Sequence, residues 1–140
     1  MSMINPRVLI VEDDNVVLSL LTSIFESNGY DVAGVNRYAS AIQSAENFNP
    51  DVIILDIHLD NGYTGYNIAD ELKTHPKLAS TPTVFLTGEK DDEFRYKAFI
   101  CGGIDFLRKP FDKQDLLNRV KPLALIGRMM KTLSKINNKE

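Results

Sequence analysis

Five short runs of apolar and β-branched residues alternate along the chain with segments in which apolar residues recur every three or four positions. Runs of the first kind predict buried strands, and segments of the second kind predict helices with one buried face. The predicted strands cover residues 7–11, 31–35, 51–56, 83–87 and 105–110. The predicted helices cover residues 15–28, 39–48, 66–73 and 91–101, and a fifth begins near Lys113.

This alternation predicts an α/β fold, in which a doubly wound parallel sheet of five strands carries helices on both faces. The run "DVIILD" at 51–56 is apolar on both sides of the strand, which favours a central position in the sheet. A chain of 140 residues is long enough for one such domain, and 44% hydrophobic residues is ordinary for a globular protein.

Composition and charge limit the setting and the partners. No apolar run approaches the ~20 residues of a membrane span, residues 1–7 lack the apolar core of a signal peptide, and Cys101 is the single cysteine. These features predict a reducing, cytoplasmic setting. Residues 1–112 carry 9 basic and 17 acidic side chains, whereas residues 113–140 carry 7 and 2. The acidic body argues against direct binding of nucleic acid by this domain.

Polar side chains lie at the ends of four of the five predicted strands. They are Glu12, Asp13, Asp56, Thr87 and Lys109. The carboxyl ends of parallel strands form the working crevice of an open sheet, so a strand order of 2-1-3-4-5 would bring these five side chains together. Two carboxylates ~4 Å apart repel by roughly 4 kcal/mol at an effective dielectric near 20. Such a cluster therefore indicates a function rather than a solvated loop.

The residue types in this cluster favour phosphoryl chemistry. Carboxylate oxygens suit Mg²⁺, which binds one or two carboxylates together with a phosphoryl group. Asp56, at the end of the most buried predicted strand, is the acid best placed to act as a nucleophile and form an acyl phosphate. Lys109 offers a positive charge for phosphoryl oxygens, and Thr87 offers a hydrogen bond.

The stretches "VEDD", "DVIILD", "FLTG" and "LRKPF", in this order, make the chain resemble the receiver domain of two-component response regulators, the CheY-like family. The resemblance covers residues 5–126 and implies the flavodoxin-like three-layer sandwich of that family. It implies that Asp56 is the phospho-accepting aspartate. It also implies that Asp13, Asp56 and the backbone carbonyl of His58 ligate Mg²⁺, with Glu12 helping to hold the metal through water.

The resemblance implies further roles around this site. Thr87 would be the switch hydroxyl that binds the phosphoryl group, and Lys109 would pair with the same group. Phe106 would be the switch aromatic whose rotamer follows Thr87. His58 and Glu89 occupy the positions that tune dephosphorylation in the family.

Near the acceptor the chain departs from the family pattern. Asp60 stands where the family usually has proline, and the loop from Asp56 to Gly65 is one residue longer than usual. Gly88 replaces the common alanine, which leaves access for a phosphoryl group wide. The Lys109–Pro110 peptide bond is expected to be cis, as in the family.

The function that the resemblance implies is a signalling switch rather than an enzyme. A histidine kinase or a histidine phosphotransfer protein would phosphorylate Asp56. The modified domain would then act on a downstream partner or output domain through a face made of helix four, strand five and helix five. A homodimer is also open on this reading, and no membrane partner is expected.

The residues after the expected domain are basic and helical in pattern. Residues 127–140 are interpreted either as a last helix that frays or as a linker helix to an output domain outside this chain. Pro122 and Gly127 disfavour a continuous helix there. Apolar residues nevertheless recur at three- and four-residue steps, at Leu123, Ile126, Met130 and Leu133.

Three other functions stay open at this point. A degenerate receiver could serve only as an interaction module, although its five site residues are intact. An aspartate-nucleophile phosphatase of the haloacid dehalogenase type would need a second acid where this chain has His58. A flavodoxin-like flavin carrier would place its phosphate loop at the acidic residues 12–14, which have the wrong charge for an anion.

Overall fold

The computed structural model describes residues 5–88 and 105–137. Its five strands are β1 (Arg7–Val11), β2 (Asp31–Val35), β3 (Val52–Asp56), β4 (Thr83–Thr87) and β5 (Asp105–Arg108). All neighbouring strands are parallel, and their order in the sheet is β2-β1-β3-β4-β5. The predicted order and the α/β class are therefore confirmed.

Helices follow β1, β2, β3 and β5, as the sequence pattern indicates. The described helices are α1 (Asn15–Glu26), α2 (Ala41–Phe48), α3 (Gly65–Leu72) and the C-terminal helix (Lys113–Asn137). α1 ends two residues earlier than predicted, and Gly29 follows it with a φ of 86°, a left-handed conformation that glycine adopts without steric strain. The helix predicted at 91–101 lies outside the described residues.

The sheet is buried on both faces, which explains the uninterrupted apolar runs of its central strands. Every residue of β3 and β4 is buried. α2 and α3 cover one face, and α1 and the C-terminal helix cover the other. The result is the predicted three-layer sandwich, whose buried centre holds the carboxyl ends of β1, β3 and β4 next to one another.

The C-terminal helix is continuous through Pro122 and Gly127, although both residues disfavour a continuous helix. Pro122 lies on the exposed side of the helix, where water can bind the carbonyl that loses its backbone partner. Gly127 faces the body of the domain, and a Cβ there would stand 1.8 Å from the backbone oxygen of Asp51. The glycine thus allows a close approach between helix and sheet.

The close approach is accompanied by an ionic cluster at the amino-terminal end of β3. The carboxylate of Asp51 is 2% exposed and lies 3.2 Å from Arg128 Nη2 and 2.9 Å from Lys131 Nζ. It also accepts a 2.8 Å hydrogen bond from the backbone N–H of Arg7. Arg128 and Lys131 belong to the segment interpreted as a tail, so this segment contacts the body of the domain directly.

The C-terminal helix also exposes several large apolar side chains to solvent. Its exposed apolar residues include three of the four that recur in the sequence pattern, whereas Leu123 is buried in the core. The exposed residues are Leu125, Ile126, Met129, Met130, Leu133 and Ile136. The helix crosses the predicted boundary at residue 126 without interruption, and the division into a domain at 5–126 and a tail at 127–140 stays a prediction.

The structure also bears on the expected cis peptide bond and on the expected lack of a membrane span. The Lys109–Pro110 peptide bond is cis, as predicted. In the described part of the chain, no helix combines the length and the apolar character needed to cross a bilayer.

Candidate functional site

Three carboxylates meet at the carboxyl ends of β1 and β3. Ligand oxygens of Glu12, Asp13 and Asp56 all lie within 4.8 Å of one another. The pairing of Val11 with Leu55 explains this proximity, because the residues that follow each of them leave adjacent strands at the same level. Glu12 is fully buried and Asp56 is 5% exposed, whereas Asp13 faces solvent. The geometry thus forms an acidic cleft with one open side.

The third acid of the same sequence stretch has a different role. Asp14 is the N-cap of α1, where its carboxylate accepts hydrogen bonds from the backbone N–H groups of Val16 at 2.9 Å and Val17 at 3.3 Å. Such a cap satisfies donors that the first turn of a helix leaves unpaired. Glu12 and Asp13 therefore belong to the cleft, and Asp14 orients the helix that begins beside it.

Lys109 supplies the positive charge of the cleft. Its Nζ lies 2.9 Å from Glu12 Oε1 and 3.4 Å from Asp56 Oδ1. Its backbone N–H donates to the carbonyl oxygen of Thr87 at 2.7 Å, which ties the segment after β5 to the end of β4. Thr87 is 3% exposed and ends β4, the strand that pairs with β3. The structure thus places four of the five predicted strand-end residues in one cluster and Thr87 at the edge of the same cleft.

Burial and mutual repulsion change the acidity of these groups. Burial raises the pKa of Glu12 to about 8, in spite of the hydrogen bond from Lys109, and the neighbouring Asp56 adds to the increase. Burial and the charge of Asp56 also raise the pKa of Asp13. For Lys109, burial alone would lower the pKa, but the hydrogen bond to Glu12 and the charge of Asp56 outweigh it and raise the pKa. The single ammonium group of Lys109 therefore does not balance the acidic groups of the cleft.

The donor set fits a hard divalent cation such as Mg²⁺. Among the described residues, Glu12 Oε2 is one of two buried side-chain atoms with no hydrogen-bond partner. A buried carboxylate oxygen without a donor is costly, and a cation or its water would satisfy it. Three carboxylates around one lysine leave an excess of negative charge that a dication would neutralise.

The raised pKa of Glu12 predicts a pH dependence of stability in the metal-free protein. Because the folded pKa of about 8 lies above the ordinary value of 4.5, this group's contribution is complete below the unfolded pKa and is lost as pH rises through the folded one. Between about pH 5 and about pH 8 the free energy of unfolding should fall, and Glu12→Gln should remove roughly 4 kcal/mol of that fall.

Urea unfolding in EDTA at several pH values measures this effect. Glu26→Gln, the same substitution at an exposed position of α1, is the matched control. It should leave the change of the free energy of unfolding with pH as it is in wild type. If the free energy of unfolding changed with pH equally in wild type and Glu12→Gln, Glu12 would have an ordinary pKa in the folded protein.

The loop after Asp56 closes back onto the strand. Gly65 donates its N–H to the carbonyl of Ile57 at 2.9 Å, and a Cβ at Gly65 would lie only 2.4 Å from the backbone oxygen of Asp56. His58 pairs with Thr64 across the loop in an isolated antiparallel bridge, and its side chain is exposed. The extra residue of the loop therefore leaves the contact between glycine and acceptor strand intact.

The remaining predicted residues lie farther from the carboxylates or outside the described part. Phe106 is partly buried on β5 opposite Phe85 and packs against the core formed with α2 and α3. A Cβ at Gly88 would meet nothing within 4 Å, in agreement with open access beside Thr87. Glu89 lies outside the described residues.

The comparisons with known proteins agree on one family. Residues 8–121 match the family described as the response regulator receiver domain. The DNA-binding dual master transcriptional regulator RpaA of Synechocystis sp. is 33% identical over 122 residues. The aerobic respiration control protein ArcA of Escherichia coli is 34% identical over 118 residues. Each alignment covers 84% of this chain and 48% of the relative, so the chain spans about half the length of these curated relatives.

A solved structure supports the fold independently. The chemotaxis protein CheY4 of Vibrio cholerae superimposes with a TM-score of 0.81 over 86% of this chain and 99% of that chain. Its sequence identity is 24%, so the likeness concerns the fold.

Proposed function

This chain belongs to the receiver domain family of two-component response regulators, and on that premise we propose that Asp56 accepts a phosphoryl group in a Mg²⁺-dependent reaction. The observation that carries the proposal is the cluster itself, in which one lysine lies within 3.4 Å of a buried carboxylate that shares its cleft with two more.

In the proposed reaction, a carboxylate oxygen of Asp56 attacks the phosphorus of a phosphohistidine. An O–P bond forms, the N–P bond breaks, and the departing imidazole nitrogen takes a proton from solvent. Lys109 would pair with the phosphoryl oxygens that come to lie beside it, and Thr87 would donate a hydrogen bond to them. The donor would be a histidine kinase or a histidine phosphotransfer protein.

Glu12, Asp13, Asp56 and the backbone carbonyl of His58 are the proposed holders of the metal. When bound, Mg²⁺ would supply charge neutralisation to the carboxylates and to the incoming phosphoryl oxygens. The buried, partnerless oxygen of Glu12 supports this assignment. The position of Asp13 on the open side of the cleft supports direct binding from solvent.

Phosphorylation would be transmitted through Thr87 and Phe106. A hydroxyl drawn toward the phosphoryl group would vacate space behind β4, and the partly buried ring of Phe106 on β5 would follow it. The proposed output face comprises β5, the C-terminal helix and the helix predicted at 91–101, the last of which lies outside the described residues. His58 and Glu89 are proposed to tune dephosphorylation, and a cytoplasmic location and a homodimer stay predictions.

The function is tested by incubating the protein with acetyl phosphate and MgCl₂ and recording its intact mass. Wild type should gain about 80 Da, the mass of one phosphoryl group, and EDTA should prevent the gain. Asp56→Asn should show no gain, whereas Asp70→Asn, the same change at an exposed position of α3, should behave as wild type. A wild type that stays unmodified, or an adduct that persists in Asp56→Asn, would contradict the proposal.

A further inference from the structure

The loop between β3 and α3 differs from the family pattern at Asp60 and by one extra residue. In the structure this loop is a short hairpin, in which Leu59 donates its N–H to the carbonyl of Tyr63 at 2.9 Å. The turn uses Asn61 and Gly62 with φ values of 56° and 79°. Left-handed conformations at two successive residues reverse the chain tightly, so the additional residue is accommodated at the tip, away from Asp56.

A second set of contacts joins this hairpin to the segment after β2. Asp60 Oδ1 accepts a 2.7 Å hydrogen bond from the backbone N–H of Tyr38, at the start of a short 3-10 turn (Tyr38–Ser40). The rings of Tyr38 and Tyr63 are stacked, with centroids 3.9 Å apart and an angle of 4° between their planes. We refer to Asp60, Tyr38 and Tyr63 as the latch.

We propose that the latch is a positioning device for metal binding, which holds the main chain at His58 so that its carbonyl faces the acidic cleft. The inference rests on the proposed function, because His58 supplies a metal ligand only in that proposal. It adds three residues, Asp60, Tyr38 and Tyr63, that the family's site pattern does not contain.

The need for such a device follows from the substitution at position 60. Proline restricts the backbone locally, whereas aspartate leaves it free, so a loop with Asp60 loses a constraint that the family usually has. The carboxylate of Asp60 replaces that constraint with a tertiary one, since its oxygen accepts a 2.7 Å hydrogen bond from the backbone N–H of Tyr38, which lies in a different segment of the chain. His58 lies between two fixed points, the latch on one side and the contact of Gly65 with Asp56 on the other.

The carboxylate of Asp60 binds the backbone N–H of Tyr38 and is not one of the three carboxylates of the cleft. The oxygens that cluster within 4.8 Å belong to Glu12, Asp13 and Asp56. Asp60 therefore acts on the metal through the backbone, and it is a positioning residue rather than a ligand.

The test measures Mg²⁺ affinity by calorimetry and the Mg²⁺ dependence of phosphorylation by acetyl phosphate. Asp60→Ala should weaken Mg²⁺ binding about tenfold, in the range typical of residues that orient a metal ligand from outside the coordination shell. The Mg²⁺ concentration for half-maximal phosphorylation should rise by the same factor, while the rate at saturating Mg²⁺ changes little. A general loss of folded protein would instead lower the rate at every Mg²⁺ concentration.

Conservative variants separate the latch from a change of charge. Asp60→Asn keeps an acceptor oxygen and Tyr63→Phe keeps the ring, so both should bind Mg²⁺ within about twofold of wild type. Tyr63→Ala should weaken binding in the same direction as Asp60→Ala, and the double variant should be less than additive. Asp70→Ala, which removes one exposed negative charge elsewhere, is the control and should bind normally.

The outcomes distinguish this inference from the proposed function. If wild type binds Mg²⁺ and is phosphorylated but Asp60→Ala and Tyr63→Ala show unchanged Mg²⁺ affinity, the latch is wrong and the proposed function stands. If Asp60→Asn is as defective as Asp60→Ala, the charge and not the hydrogen bond matters, and the latch is equally wrong. If wild type takes up neither Mg²⁺ nor phosphoryl, both fail.

Discussion

Replacing Asp51 with alanine is expected to lower the free energy of unfolding by about 3 kcal/mol, because the substitution removes a buried carboxylate from the side chains of Arg128 and Lys131 and from the N–H of Arg7. Lys131 also donates to the carbonyl of Asn49, so its ammonium group stays near the core when the carboxylate is gone. Burial already lowers the pKa of Lys131 although Asp51 opposes the change. Without Asp51, that pKa should fall further.

The expected value is at the lower end for a broken buried ion pair, because the side chains of Arg128 and Lys131 are 38% and 20% exposed and regain some water. Urea unfolding followed by circular dichroism measures the loss, with Asp70→Ala at an exposed position of α3 as the matched control. Adding Lys131→Met to Asp51→Ala should restore part of the lost stability, since it removes the unpaired charge. If Asp51→Ala lost less than about 1 kcal/mol, water would be stabilising the charges of Arg128 and Lys131 as well as the carboxylate does.

The sequence predicts the fold well because its strongest signals are local. The five apolar runs fall on the five strands, and the polar residues at their ends give the correct strand order. The same reasoning brings Glu12, Asp13, Asp56 and Lys109 into one cleft, since parallel strands end at one edge of a sheet.

What the sequence does not predict depends on contacts between distant segments. Asp51 meets Arg128 and Lys131 across 77 and 80 positions, and an acid before a strand and a basic tail give no sign of pairing. Asp60 meets Tyr38 across 22 positions, and only its departure from the family's proline marks it as unusual.

Helix propensity was misleading in the C-terminal helix for a related reason. Gly127 is unfavourable in an isolated helix, but here its missing Cβ is what lets the helix approach the backbone of Asp51. Tertiary contact outweighs the local preference, so the helix continues to Asn137.

Substitution of Gly65 by alanine is the sharpest test of how the fold positions the acceptor. The added Cβ would lie 2.4 Å from the backbone oxygen of Asp56 and 3.3 Å from the Cβ of Leu55. Both neighbours belong to the end of β3, which is buried on all sides, so relief of the overlap must displace the backbone that carries Asp56. The free energy of unfolding should fall by about 2–3 kcal/mol, as for other insertions into packed interiors.

In Gly65→Ala, the rate of phosphorylation should be reduced more strongly than the free energy of unfolding. A displacement of about 1 Å at a reacting group can cost roughly 100-fold in rate, so the Mg²⁺-dependent phosphorylation of Gly65→Ala by acetyl phosphate should fall by a factor of that order. The rate is measured by intact mass at a temperature where circular dichroism shows the variant to be folded. Gly88→Ala adds the same methyl group where it meets nothing within 4 Å and should keep wild-type stability. A Gly65→Ala protein that is phosphorylated at the wild-type rate would show that the loop after β3 moves independently of the acceptor, because the displacement would then be absorbed by α3 rather than by Asp56.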